Sequence, residues 1–302
     1  MKRLLRLASL FTVLALTNVY AQTVSVLTPY LASATTKIMV DELGVSLESM
    51  GYTVNVIDTA GDVAALDGRI QDVVTQGVDA MVISVNPELI AAGLEGAAAA
   101  GIPVFGLDAG STQGLVLDVT SNNYAMAAQT ASYLVDRLNG RGRVVMLVHP
   151  PYAPVQKRGV VARAIFDNTP DIEVVDEVFV EVPGPLENAR NAVEALLTAN
   201  PEAGSIAGIW AAWDEPALGA LQAVQALGRE NEGIVIVGID AIDPAREAIA
   251  EGTPFEATAA QNFQEIARTL ADRLDAYLNG EEPIQKTIYV PAELVIPDVI
   301  AP

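Results

Sequence analysis

The sequence predicts an α/β fold in which a parallel β-sheet is covered by helices on both faces. Three observations carry it: short β-branched runs recur along the chain, helical windows fall between them, and a glycine closes one window after another. Parallel neighbours need a long crossover, which a helix supplies. Strand–helix alternation sustained toward the C-terminus therefore means a doubly wound sheet and not a set of hairpins.

The strands read as residues 23–27, 53–58, 80–84, 103–108, 143–148, 172–180, 205–209, 234–239 and 255–260. After the first strand, residues 37–50 place Ile38, Val40, Leu43, Leu47 and Met50 at helical spacing. That window stops at Gly51, the residue type that closes a helix in the left-handed conformation. Windows 63–76, 87–100 and 125–139 stop in the same way at Gly77, Gly101 and Gly140. Further on, Trp213 precedes a helix over 215–227, and Asp243-Pro244 is a start signal for another. No short fixed period is present, which excludes a solenoid.

A chain of 302 residues is long enough for two ordinary domains, and 51% hydrophobic against 18% charged residues excludes a disordered or fibrous protein. One apolar run, residues 4–19, raises the question of a membrane. It follows Lys2, Arg3 and Arg6, is interrupted by Ser9, Thr12, Thr17 and Asn18, and ends at Val19-Tyr20-Ala21, the pattern of an export signal cleaved after Ala21. There is no cysteine, hence no disulfide, no thiolate metal site and no residue for a lipid anchor, and the expected location is periplasmic. The net charge of −21 repels phosphates and argues against nucleic acid as a partner.

Ligands of open parallel sheets bind beyond the carboxyl ends of the strands. Those ends here deliver Tyr30, Asp108, His149, Tyr152, Trp213, Asp240 and Gln261, with Arg158 in the helix after Tyr152. Carboxylates, amides and guanidinium groups make paired hydrogen bonds to neighbouring hydroxyls, and aromatic faces cover the C–H side of a sugar. None of these is a reaction centre by itself. His149 is the only histidine, and Gly204-Ser205-Ile206-Ala207-Gly208 lacks the spacing of a nucleophile elbow. Gly93-Leu94-Glu95-Gly96 lacks the dinucleotide fingerprint, and no phosphate loop, histidine cluster or calcium loop occurs, so no cofactor and no metal are predicted. Each residue also has a plainer reading: Trp213 as a core anchor, Arg158 as a structural ion pair, Asp240 as a helix cap, Tyr30 and Tyr152 as a roof, Asp214-Glu215 and Glu281-Glu282 as solvated pairs.

From Thr23 onward the chain resembles the periplasmic sugar-binding proteins of the ribose-binding type, the receptors of ATP-driven (ABC) sugar importers. The resemblance rests on six segments in the same order: residues 102–108 (Ile-Pro-Val-Phe-Gly-Leu-Asp), Thr120-Ser121-Asn122-Asn123, Lys157-Arg158-Gly159, residues 213–220 beginning Trp-Asp-Glu-Pro, Val237-Gly238-Ile239-Asp240, and Ala259-Ala260-Gln261. It implies two doubly wound lobes joined by a three-segment hinge, crossing near residues 121–123, 261–262 and 291. Residues 22–121 with 262–290 would form the N-terminal lobe, and 122–261 with 291–302 the C-terminal lobe. It also implies a sugar trapped by lobe closure, no catalysis, a membrane permease as partner and a monomeric state.

Carried over by position, Asp108 and Asp240 would accept from ring hydroxyls, Arg158 would donate from the second lobe, and Gln261 would sit at the hinge. The departures fall at Ala109, where the family carries an arginine, and at Trp213, where it carries an asparagine. They extend to Thr35 and Thr36, which fall where two stacking aromatics are expected with Ser33 near an asparagine position, and to Gly184, near the aromatic of the second lobe. Tyr30, Tyr152 and Trp213 are the replacements, and they point to a ligand other than ordinary ribopyranose. The expected function is an extracytoplasmic binding protein that captures a monosaccharide or polyol for an ABC importer. A sensory receptor component with a sugar-like ligand remains an alternative, as does a carbohydrate-active hydrolase built on Asp108 and Asp240.

Overall fold

The structure is a computed structural model that describes residues 21–297; the expected export signal upstream of Ala21 lies outside the described residues. In chain order the first part comprises β1 (Thr23–Thr28), α1 (Ala34–Ser49), β2 (Thr53–Asp58), α2 (Val63–Gln76), β3 (Ala80–Ile83), α3 (Ala91–Ala99), β4 (Val104–Leu107) and β5 (Asp118–Ser121). The second part comprises α4 (Asn123–Arg137), β6 (Arg141–Val148), α5 (Ala153–Asp167), β7 (Asp171–Phe179), α6 (Pro185–Ala199), β8 (Gly208–Ala211), α7 (Asp214–Ala226), β9 (Val235–Asp240), α8 (Asp243–Ala250) and β10 (Phe255–Ala260). Helix α9 (Phe263–Leu278) and strands β11 (Thr287–Val290) and β12 (Glu293–Val295) complete it.

The strands form two six-stranded sheets in the orders β11-β5-β4-β3-β1-β2 and β12-β10-β9-β8-β6-β7. The protein is thus two doubly wound α/β lobes, and the chain passes between them at residues 121–123, 260–263 and 290–293. The pairing is parallel except at β12, which runs antiparallel to β10 after the last crossing. The sequence reading did not find β5, β11 or β12. These three- and four-residue strands carry too little pattern to be seen before their partners are in place. The strand expected at 205–209 runs instead from Gly208 to Ala211. Ser205 belongs to the preceding turn, its hydroxyl donating to the Asn200 carbonyl, while Gly208 pairs with Val144. The window 87–100 is split, because Asn86 accepts from Glu88 N–H and starts a 3₁₀ turn ahead of α3.

Strand residues of the first lobe alternate between two apolar layers, as a sheet covered on both faces requires. Val24, Val26, Val82 and Phe105 meet α1 and α9 through Met39, Leu43, Ile266 and Leu270. Leu27, Met81 and Ile83 meet α2 and α3 through Leu66, Ile70, Leu94 and Ala97. One continuous core fills the second lobe around Trp210, Phe166 and Phe255. Gly51, Gly77, Gly101 and Gly140 all have positive φ, as their place at helix ends demands. No helix among the described residues is long and apolar enough to cross a membrane.

Candidate functional site

The carboxyl ends of the two sheets face each other, and each presents an aspartate two residues after a glycine. Gly106-Leu107-Asp108 closes β4 and Gly238-Ile239-Asp240 closes β9, with Asp108 at φ 53° and Asp240 at φ 130°. A non-glycine residue held in this region stores strain that the surroundings must offset. Each glycine makes room for a second carboxylate directly behind. A Cβ at position 106 would collide with Asp118 Oδ1, and one at 238 with Asp214 Oδ1. Asp118 in turn accepts from the Ala109 and Gly110 N–H groups at 2.9 and 3.0 Å, clamping the turn that carries Asp108. Asp214 accepts from the Thr258 hydroxyl at 2.7 Å and from Ile242 N–H at 3.0 Å, clamping the turn that carries Asp240.

A polar chain links the two aspartates through the hinge. Asp240 Oδ1 accepts from Gln261 Nε2 at 2.7 Å and pairs with Arg158 Nη1 at 3.4 Å. Arg158 also donates to the Ala212 carbonyl at 2.9 Å and, through Nε, to Asn123 Oδ1 at 2.7 Å. Asn123 Nδ2 donates to Thr120 Oγ1 at 3.2 Å, and the Thr120 hydroxyl donates to Asp108 Oδ1. The Asp240 reading as a helix cap is set aside, since its carboxylate is engaged by Gln261 and Arg158. Arg158 is an ion-pair member and a cavity-lining residue at once.

Three contacts close the lobes on each other. Tyr152 Oη lies 2.6 Å from the Asp108 carbonyl and 3.1 Å from its Oδ2. Lys157 Nζ donates to the Gly110 carbonyl. Glu215 accepts from Ser33 Oγ at 2.9 Å and from Trp213 Nε1 at 3.2 Å. The expectation that Asp214-Glu215 is a solvated surface pair is therefore wrong. Asp214 is buried at the N-terminus of α7, where it accepts from Thr258 and Ile242, and Glu215 bridges the cleft. Glu281 and Glu282 are exposed.

Tyr30, Ser33, Asp108, Tyr152, Arg158, Trp213, Asp240 and Gln261 all line one cavity between the lobes. His149, Thr35, Thr36, Met39, Val155, Val182 and Phe263 complete its wall. Met39 follows Thr35 and Thr36 by one helical turn, a spacing that marks the same face of α1; Val182 and Phe263 carry no comparable sequence signal. The closed cavity holds about 40 Å³, room for roughly three waters. The Tyr30 and Tyr152 rings, 5.1 Å apart and tilted by 60°, meet across the lobes in its wall, and a space this small admits a sugar-sized ligand only when the lobes part.

The aromatic groups meet edge to face, Tyr30 with His149 at 5.9 Å and His149 with Trp213 at 6.3 Å. His149 Nδ1 is 2.9 Å from the Val180 carbonyl, which only accepts. The proton therefore sits on Nδ1, and Nε2 is left as an acceptor. Burial lowers the His149 pKa and keeps the ring neutral. Burial raises the pKa of Asp108, with Arg158 and the two hydroxyl donors opposing it, and raises that of Asp240 well above the ordinary carboxylate value. Tyr30 is pushed up to about 12 by burial. Tyr30 Oη, His149 Nε2 and Gln261 Oε1 are buried without a protein hydrogen-bond partner, polar atoms left for water or a ligand to satisfy. Among the described residues no cluster of His, Cys, Asp or Glu is arranged to hold a metal.

Comparison with known proteins places this geometry. The family model described as periplasmic binding protein domain matches residues 24–282. The ribose import binding protein of Bacillus subtilis is 29% identical over 249 residues, covering 81% of this chain and 77% of that protein. The xylitol-binding protein of Mycolicibacterium smegmatis is 30% identical over 235 residues, covering 76% and 64%. An ABC transporter solute-binding protein from Agrobacterium vitis, solved with bound allitol, superposes with a TM-score of 0.87 at 26% identity, over 93% of this chain and 97% of that one.

Proposed function

The chain belongs to the periplasmic binding protein family, and from that premise we propose that it captures a polyol or monosaccharide between its lobes and delivers it to an ABC importer. The observation that carries this reading is the convergence of acceptors and donors from both lobes on one cavity, joined through the hinge by the Asp240–Arg158–Asn123–Thr120–Asp108 chain. With the lobes apart, Asp108 and Tyr30 belong to one wall and Asp240, Gln261 and Arg158 to the other. A ligand that bridges them favours the closed state by the contacts that span both. The arrangement has a carboxyl acceptor on each side, which suits the holding of hydroxyls.

The aromatic geometry refines the ligand class. The lining rings that touch one another, Tyr30 with Tyr152, Tyr30 with His149 and His149 with Trp213, meet at 60–89°, a tilted wall that suits a flexible chain of hydroxyls. The allitol bound by the neighbour and the xylitol named for the relative support an acyclic polyol. The protein acts outside the cytoplasm after removal of the leader at Ala21, as a monomer whose closed form a membrane permease reads.

Titration calorimetry with alditols and their parent aldoses tests this. An alditol is expected to bind more tightly than the corresponding aldopyranose. Failure of every alditol and aldose to bind would overturn the reading, and release of a cleaved product from a glycoside would replace it with hydrolysis.

A further inference from the structure

Asp108 is 3% exposed, yet no cation lies within ion-pair distance of it among the described residues. Its carboxylate accepts only from the neutral hydroxyls of Thr120 and Tyr152. The two basic groups nearby are committed elsewhere. Arg158 spends Nε on Asn123 and Nη1 on the Ala212 carbonyl and Asp240, leaving Nη2 as its one nitrogen without a partner; Lys157 donates to the Gly110 carbonyl and lies 5.5 Å over the Tyr124 ring. Around these two cations stand the carboxyl groups of Asp108 and Asp240 on the wall and Glu215 at the rim, with Asp118 and Asp214, whose protons burial holds up to about pH 7, directly behind. A buried carboxylate without a counter-charge is costly, and burial accordingly raises the pKa of Asp108 in the ligand-free protein; a cationic ligand would favour its ionised form.

The unpartnered atoms point the same way. Gln261 gives one of its two Nε2 protons to Asp240, and its acceptor Oε1 has no partner. His149 spends its one proton on Val180, so its free atom is the acceptor Nε2. Of these three buried atoms only Tyr30 Oη is able to donate; Arg158 Nη2 and the second Gln261 amide N–H are the other unengaged donors of the wall. A hydroxyl brings one donor and two lone pairs, whereas an ammonium group brings three donors and none. Tilted faces of Tyr30, Tyr152 and Trp213 around the same space add favourable contact with a cation.

Building on the polyol reading, we propose that the preferred ligand is a polyol bearing a protonated amino group, an amino-polyol whose ammonium sits against Asp108 and the acceptors of His149 and Gln261. The charge missing from the cleft is supplied by the ligand, and lobe closure buries the pair together. Neutral polyols fill the hydroxyl positions but leave Asp108 without its counter-ion.

The experiment is calorimetry on the mature protein at pH 7 with matched pairs: D-glucitol against D-glucamine, ribitol against 1-amino-1-deoxyribitol, myo-inositol against its monoamino counterpart. In each pair that binds, the amine is expected to be at least tenfold tighter, and its N-acetyl derivative to lose that advantage. Asp108→Asn is expected to bring the amine-to-neutral ratio toward one, whatever it does to either affinity alone. Neutral members binding as tightly as their amines would overturn the proposal and leave polyol capture standing. A panel in which no member of any pair binds would overturn this proposal, and capture of a polyol or monosaccharide would fall with it if the aldoses also failed to bind.

Discussion

At the scale of single residues, the site is two aspartates held in strained backbone and kept there by carboxylates one layer deeper. Asp240 is the clearest target. Removing its side chain leaves Arg158 and Gln261 facing a ligand without their shared acceptor, so Asp240→Ala should weaken polyol binding by about 2 kcal/mol or more, roughly thirtyfold. Unchanged calorimetric affinity would remove Asp240 from the site. Tyr152 tests closure separately from binding. Its hydroxyl crosses the cleft to Asp108, and without it Asp108 recovers a donor only by letting water in. Tyr152→Phe should therefore enlarge the radius of gyration of the ligand-free protein in small-angle scattering while its melting temperature changes little. An unchanged radius would show that the Tyr152 hydroxyl does not hold the lobes together. The residues of this layer were legible to different degrees. Asp108, Asp240 and Arg158 stand out because they follow strand ends, whereas Glu215 looks like any acidic residue in a first helical turn. Its role exists only because Ser33, 182 positions earlier, arrives opposite it.

At the scale of elements, the glycine-stopped helices are local features and read correctly from local signals. Contacts between elements are not local, and Gly219 shows why. It lies inside α7, where a glycine costs stability, and sequence offers no reason for it beyond its place in a motif. In the folded lobe α6 passes so close that a Cβ at 219 would collide with the Leu186 carbonyl and come within 3.0 Å of Arg190 N. Gly219→Ala should destabilise the protein by about 1–3 kcal/mol, despite alanine's better helix propensity, because the obstacle is rigid backbone. Denaturant unfolding checks it, and a stabilised variant would refute the close packing of α6 on α7. The missed edge strands have the same explanation. Thr287–Val290 is a strand because β5 lies beside it, with Thr287 opposite Asp118 and Val290 opposite Ser121.

At the scale of the whole molecule, the acidic surplus of the sequence reaches the interior. Burial raises Asp118 and Asp214 to about 7 from an ordinary 3.8, the charge of Asp108 adding to the first. Between those values the folded protein keeps protons that the unfolded chain releases. Their contribution to stability is thus present at the acid end of the window and lost as pH rises through about 7. The ligand-free protein should melt at a higher temperature at pH 5 than at pH 8, and Asp118→Asn should reduce the difference. A melting temperature that rises over that interval would contradict the protonation of these carboxylates.

The sequence by itself determined the fold class, because alternating strand and helix signals and their glycine stops are local physics repeated along the chain. It also singled out the strand-end residues, since a parallel sheet sends every carboxyl end to the same edge. Tertiary structure alone decided which of those ends face one another, that Asp214 and Glu215 are structural and not solvated, and that Asp108 is buried without a counter-ion. Burial and charge pairing are properties of distance in space, and residues brought together across two lobes and three crossings leave no mark of that distance in their spacing along the chain.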